Sequence, residues 1–294
     1  MTRIKINCLP IYSLILFLCC FACRKEASLQ PSPDMPDAFA RHDNPANAAD
    51  HQIYLYYKET GIAVLYNDTV TTAPLVTLQL WYHLTVIDSL VTYTKIKKDA
   101  DILLGLDFIK QSVVPYLGAA MKPYAFFLAD SLYTYDSPWR YNQVMLSSYR
   151  GLKAVALGFV PGIRNLDAAG KKAYQADIFK TILIPYLNAN ANLLTEFYKV
   201  SSVYYGKTAN GTQFNGDYIP YRLKEEYGFL SDGTESEDYY SIGTQAQDLD
   251  RYLTEILNQT TAAFNDKYGQ YPLVMRKYKV IMEVFKTLGF IKPE

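Results

Sequence analysis

The densest group of side chains able to do chemistry is SDGTESED at 231–238, which holds Asp232, Glu235, Glu237 and Asp238. Carboxylates at such spacing are hard oxygen donors suited to calcium, although the run lacks the full EF-hand pattern. A pair of them at the right separation would also suit acid–base hydrolysis of glycosides. A solvated acidic loop is the plainer account of the same residues. The chain has three histidines, His42, His51 and His83, and no cysteine after Cys23. A disulfide framework and a thiol nucleophile are therefore excluded from the body. Zinc sites with neither imidazole nor thiolate are unusual. No G-x-S-x-G occurs, no histidine follows position 83 to act as base for a serine, and phosphate-binding glycine motifs are absent.

Tyrosine is the strongest compositional excess, at 27 of 294 residues. It joins a large apolar face to a polar tip, which suits half-buried packing and recognition of sugars or peptides equally. The segment VYYGKTANGTQFNGDYIPYR (203–222) interleaves Gly, Asn and Thr with aromatic residues and reads as a long loop. Its candidate ligand contacts are Tyr204, Tyr205, Phe214, Tyr218, Tyr221 and Arg222.

The elements that must position these groups begin after an export signal. Arg3 and Lys5 precede the apolar run LPIYSLILFLCCFA, and Ala22–Cys23 looks like a bacterial lipobox with Cys20 where Leu is usual. The expected organisation is a signal peptide at 1–22, a flexible tether at 23–47 from lipidated Cys23, and one domain at 48–294. The location is then the cell envelope, on an outer membrane, facing either the periplasm or the outside. Loss of Arg3 and Lys5 from 29 basic residues leaves 27 against 29 acidic ones, so no field for nucleic acid results.

Within the body, 53–68 predicts a short helix or strand, a break at Gly61 and the strand IAVLY. LVTLQLWYHLTVI (75–87) reads as strand, and YAFFLAD (124–130) with LKAVALGFV (152–160) as paired strands. Helices are predicted at 99–119, 168–200, 244–264 and 272–288. The order implies an α+β fold, with a mixed sheet packed against several helices and a helix-rich C-terminal half. One stretch resists this scheme. TILIPYLNANANLL (181–194) has the apolar spacing of a buried helix, yet Pro185 lacks an N–H and crowds the carbonyl four residues back.

EEYGFLSDGTESEDYYSIGTQAQDLDRYLTEIL, followed by a long helix and LGFI, resembles the C-terminal half of the Bacteroidetes substrate import-associated zinc metallohydrolase lipoproteins. LKAVALGFVPGIRNLD (152–167) is similar to that family's strand before its metal helix, and YKETGIAVLYND to its first strand. The resemblance spans roughly 40–294 and implies a zincin-like metallopeptidase fold. It further implies zinc, an outer-membrane transporter and its partner lipoprotein as associates, and the acidic ligand position at Glu237–Asp238. It also places the HExxH motif on Ile184-Pro185-Tyr186-Leu187-Asn188. There two imidazoles would share one helix face and the Glu would act as general base. Ile184 and Pro185 supply no donor and Asn188 only a neutral amide, so the expected protein is a pseudoenzyme without zinc or other cofactor. Two alternatives stand beside it. One is an active hydrolase using Asn188 and the 231–238 loop; the other is a glycan- or peptide-binding surface lipoprotein working through the Tyr-rich segment.

Overall fold

The computed structural model describes residues 37–72, 75–80, 91–135, 142–210, 217–231, 233 and 239–294, and a compact unit runs from Ala38 to Glu294. The leader at 1–22, Cys23 and the tether up to residue 36 lie outside these residues. So do His83, Phe214, Asp232, Glu235, Glu237 and Asp238, and the part of the expected strand at 81–87.

The first helix, α1 (Ala48–Thr60), starts where Asn47 accepts a hydrogen bond from Asp50 N–H. It stops at Gly61, whose φ of 71° few other residues adopt. Strand β1 (Ala63–Leu65) follows as expected, and β2 (Thr69–Thr72) and β3 (Leu75–Thr77) form an antiparallel pair. After β4 (Val91–Lys95), helix α2 (Asp99–Phe108) gives way to a π turn at Ile109–Val113 and a 3-10 turn at Val114–Tyr116. The α-helix predicted to 119 thus ends early, because Pro115 cannot donate to Gln111 and its ring crowds that carbonyl.

Strand β5 (Ala125–Tyr135) organises the sheet. Its first residues lie parallel to β1 on one side and to β8 (Ala154–Leu157) on the other. Its second half pairs antiparallel with β4 and with β6 (Gln143–Met145), and β7 (Ser148–Arg150) closes the β8 edge antiparallel. Both faces of this sheet are covered, which is why the runs AFFLA and AVAL show no polar alternation. Phe126, Leu128, Val155 and Leu157 face the helices, whereas Ala125, Phe127, Ala154 and Ala156 face a second core with Val70, Leu78, Leu80 and Val91. Phe39 belongs to that second core at 5 % exposure, with Arg41 donating to the Phe39 and Ala38 carbonyls. Residues from 38 onward, read from sequence as part of the tether, therefore pack on the body.

The helical layer comprises α3 (Ala168–Ala189), α4 (Thr195–Lys199), α5 (Gln245–Asn258), α6 (Thr261–Tyr268) and α7 (Pro272–Leu288). A small third sheet holds β9 (Thr208–Asn210), β10 (Tyr218–Ile219) and β11 (Tyr239–Ser241). The helices predicted at 168–200 and 244–264 each divide in two, the first at Asn190 and the second at Thr260, which caps α6 by accepting from Ala263 N–H. The α+β class with a mixed sheet and helices on one face matches the sequence expectation.

The C-terminal residues clasp this layer. Ile291 N–H donates to the Tyr116 carbonyl, and Phe290 meets Phe179 and Phe285 edge-on. Gly118 lies so close beneath the end of α7 that a Cβ there would sit 1.9 Å from the Leu288 carbonyl oxygen. Backbone on both sides cannot yield as a side chain would. Gly118→Ala should therefore cost about 1–3 kcal/mol, read as a lower urea midpoint with unchanged slope.

Candidate functional site

Strand β8 runs through a 3-10 turn at Val160–Asn165 into α3, whose first turn is capped by Asp167 accepting from Gly170 N–H. Asp177, Thr181, Ile184 and Asn188 fall at i, i+4, i+7 and i+11, one stripe of the helix. The edge strand β7 packs along it: Ser148 Oγ lies 2.7 Å from Thr181 Oγ1 and Ser147 Oγ donates to Asp177 Oδ2 at 3.0 Å. On the opposite flank, Lys180 reaches α5, 2.8 Å from Asp250 Oδ1 and 2.7 Å from Thr254 Oγ1. The helix is continuous through Pro185, whose side is exposed, so the missing hydrogen bond faces solvent. It ends instead at Asn190, whose side-chain amide donates to the Tyr186 carbonyl.

Ile184 is half-buried against the main core, while Pro185 and Asn188 are exposed. Zinc, which the resemblance implies for this helix, does not fit the donor set. Ile184 and Pro185 carry no side-chain donor, Asn188 offers a neutral amide, and the neighbouring Asp177 and Thr181 are bound to Ser147 and Ser148. Among the described residues, no three His, Cys, Asp or Glu side chains gather closely enough to hold a metal ion.

Beside α3 lies a recess of about 760 Å³, walled by Lys180, Phe229, Ile242, Asp248, Asp250 and Arg251 among others. Asp248 in its wall belongs to a buried charge network that sequence reading did not single out. Lys277, from α7, is fully buried and donates to Asp248 Oδ2 at 2.8 Å; Tyr205 donates to the same oxygen. Four rings enclose the ammonium, with centroids at 4.2 Å for Phe229, 5.0 Å for Phe197, 5.5 Å for Tyr205 and 5.6 Å for Tyr252. Burial raises the Asp248 pKa, opposed by the Lys277 charge and hydrogen bond, and burial lowers that of Lys277, opposed by Asp248. Burial also raises the Tyr205 pKa, and the Asp248 charge adds to it, so the phenol stays protonated and donates. Asp248 Oδ1 is buried and has no hydrogen-bond partner among the described residues.

The Tyr-rich segment proves to be partly sheet rather than one long loop. Tyr204 packs against Tyr227 in a tilted pair with centroids 4.8 Å apart, Tyr205 meets Phe229, and Tyr221 meets Tyr240, all within the third apolar cluster. Tyr218 lies in β10 and is half-buried, and Arg222 is exposed with its carbonyl accepting from the Tyr240 hydroxyl. Four of the six residues named as ligand contacts thus have packing or strand roles here, and Phe214 lies outside the described residues. The signal for the network was in the sequence: Asp248 and Lys277 each sit on the apolar stripe of an amphipathic helix, beside Leu249 and Tyr252 and beside Val274 and Ile281. Comparison with protein-family models, curated proteins and solved structures finds no match to this chain.

Proposed function

We propose that the protein is a cell-envelope lipoprotein with a zincin-like fold whose metal helix has lost its ligands, and that it serves an outer-membrane nutrient-import system as an accessory or binding component. The observation that supports this reading is the placement of Ile184-Pro185-Tyr186-Leu187-Asn188. These residues lie on a long, continuous helix that follows a central parallel strand through a 3-10 turn and packs on an antiparallel edge strand. That helix retains the scaffold of a metal site and presents no metal-binding pair. The recess between α3 and α5 offers the binding role a concave surface of mixed polar and apolar character, of a size suited to a sugar or a peptide side chain. An outer-membrane transporter and its companion lipoprotein are the partners that the resemblance implies.

Metal content of the purified full chain, paired with a peptidase assay, tests the loss of catalysis. The expected result is zinc far below one per chain and no chelator-sensitive hydrolysis. Stoichiometric zinc with hydrolysis that Glu237→Ala abolishes would replace this reading with an active enzyme using unconventional ligands.

A further inference from the structure

The turn between β7 and β8 lies at the end of the sheet where the chain enters the compact unit. Phe39 meets Tyr124 edge-on at 5.3 Å and lies 5.6 Å beneath the Lys153 ammonium. Beside them is a recess of about 290 Å³ lined by Pro123, Tyr124 and residues 150–155. Leu152 at its rim is 74 % exposed and Tyr124 49 % exposed, although most apolar groups of this domain are covered. Arg150 and Lys153 have no carboxylate partner among the described residues, and none of the residues lining the recess is acidic. Exposed Lys122 stands immediately before Pro123 in the chain. An apolar tip, a half-exposed tyrosine and unneutralised cations are the side chains that partition into a headgroup region.

We propose that this end of the domain docks on a bilayer containing anionic phospholipid, with Arg150 and Lys153 meeting headgroup phosphates and Leu152 entering the acyl boundary. The proposal rests on the lipoprotein reading of Cys23. Ala38 follows Cys23 by 15 residues, a reach of at most about 50 Å. An acyl anchor at Cys23 would therefore keep this end of the domain close to the membrane, where a weak surface contact acts at high effective concentration. The contact fixes the orientation of the domain on the membrane and leaves the α3–α5 recess to other partners.

The absence of cysteine after Cys23 makes the test direct. Leu152→Cys takes a single environment-sensitive NBD label in the full lipidated chain, reconstituted on phosphatidylcholine vesicles with or without phosphatidylglycerol. The expected result is blue-shifted emission and a severalfold rise in intensity only with phosphatidylglycerol, both lost in Arg150→Glu/Lys153→Glu. A label at exposed Asn258→Cys, on the helical layer, should report water in both. Flotation with the vesicles reads the anchor separately. A chain that floats while the label at 152 reports water overturns the docking alone, and a chain that does not float overturns both readings. A label buried in native envelopes but exposed on protein-free vesicles would assign this face to a protein partner and likewise overturn the proposal.

Discussion

Lys277→Ala should lower the folding stability by about 3–5 kcal/mol, the cost of breaking a buried ion pair by removing one member. The substitution strands the Asp248 carboxylate, which is buried with Tyr205 as its one remaining donor among the described residues, and it opens a void among Phe197, Tyr205, Phe229 and Tyr252. The position of Asp248 in the first turn of α5 offsets only part of that loss, since the helix dipole there favours a negative charge by a fraction of the pair's value. Lys277→Met keeps the volume and should cost less. Lys277→Met with Asp248→Leu should fall near wild type, because well-packed apolar groups replace buried ion pairs with little loss.

The pH dependence distinguishes electrostatics from packing. The Asp248 pKa is raised by burial, so its contribution is fully present below the ordinary carboxylate range and is lost as pH rises through the raised value. The Lys277 pKa is lowered, so its contribution is present above the ordinary lysine range and is lost as pH falls through the lowered value. At neutral pH both charges oppose burial and their mutual attraction compensates. Without Lys277, the Asp248 pKa rises further. The destabilisation of Lys277→Met should therefore shrink as pH is lowered from neutral toward the carboxylate range, measured by urea unfolding at each pH. A deficit that does not change with pH would mean that water or another donor already satisfies Asp248.

Much of the scaffold is written locally. AFFLA and AVAL are uninterrupted apolar runs, and such runs become strands buried on both faces. Gly61 and Asn47 mark the ends of α1 by their own chemistry. The short strands β4, β6 and β7 are different: three to five residues carry too little periodicity to be read, and they exist because the long β5 and the edge of β8 offer hydrogen bonds. Pro185 looked like the helix breaker because sequence cannot say that its side of α3 faces solvent. Asn190 breaks the helix instead, by capturing the Tyr186 carbonyl.

The same limit governs the site. Asp248 and Lys277 stand out as charges on apolar stripes, but nothing local pairs residues 29 apart on two helices. Tyr205, read as a ligand contact, is committed to that pair. The stripe of Asp177, Thr181, Ile184 and Asn188 emerges only in the structure, which also shows what flanks it, namely Ser147 and Ser148 at the start of β7 and the Lys180–Asp250 contact.

The second large effect concerns α3, the helix proposed to be a vacated metal helix. Ile184→His, Pro185→Glu and Asn188→His together place two imidazoles at i and i+4, with their Cβ atoms roughly 6 Å apart. The first His and the Glu take the places of the half-buried Ile184 and the exposed Pro185, and removal of the proline restores a helical hydrogen bond. Two histidines so spaced bind zinc weakly on any exposed helix, so affinity alone decides little. Dependence on the acidic position does decide. If α3 is a vacated metal helix, Glu237 lies within reach as a further ligand.

Zinc binding by the triple variant, measured calorimetrically with and without Glu237→Ala, is therefore the most direct test of the account. The predicted result is one zinc per folded chain in the triple variant, at least tenfold weaker binding once Glu237 is removed, and no stoichiometric zinc in the native chain. A folded triple variant whose zinc affinity does not change with Glu237→Ala would contradict it.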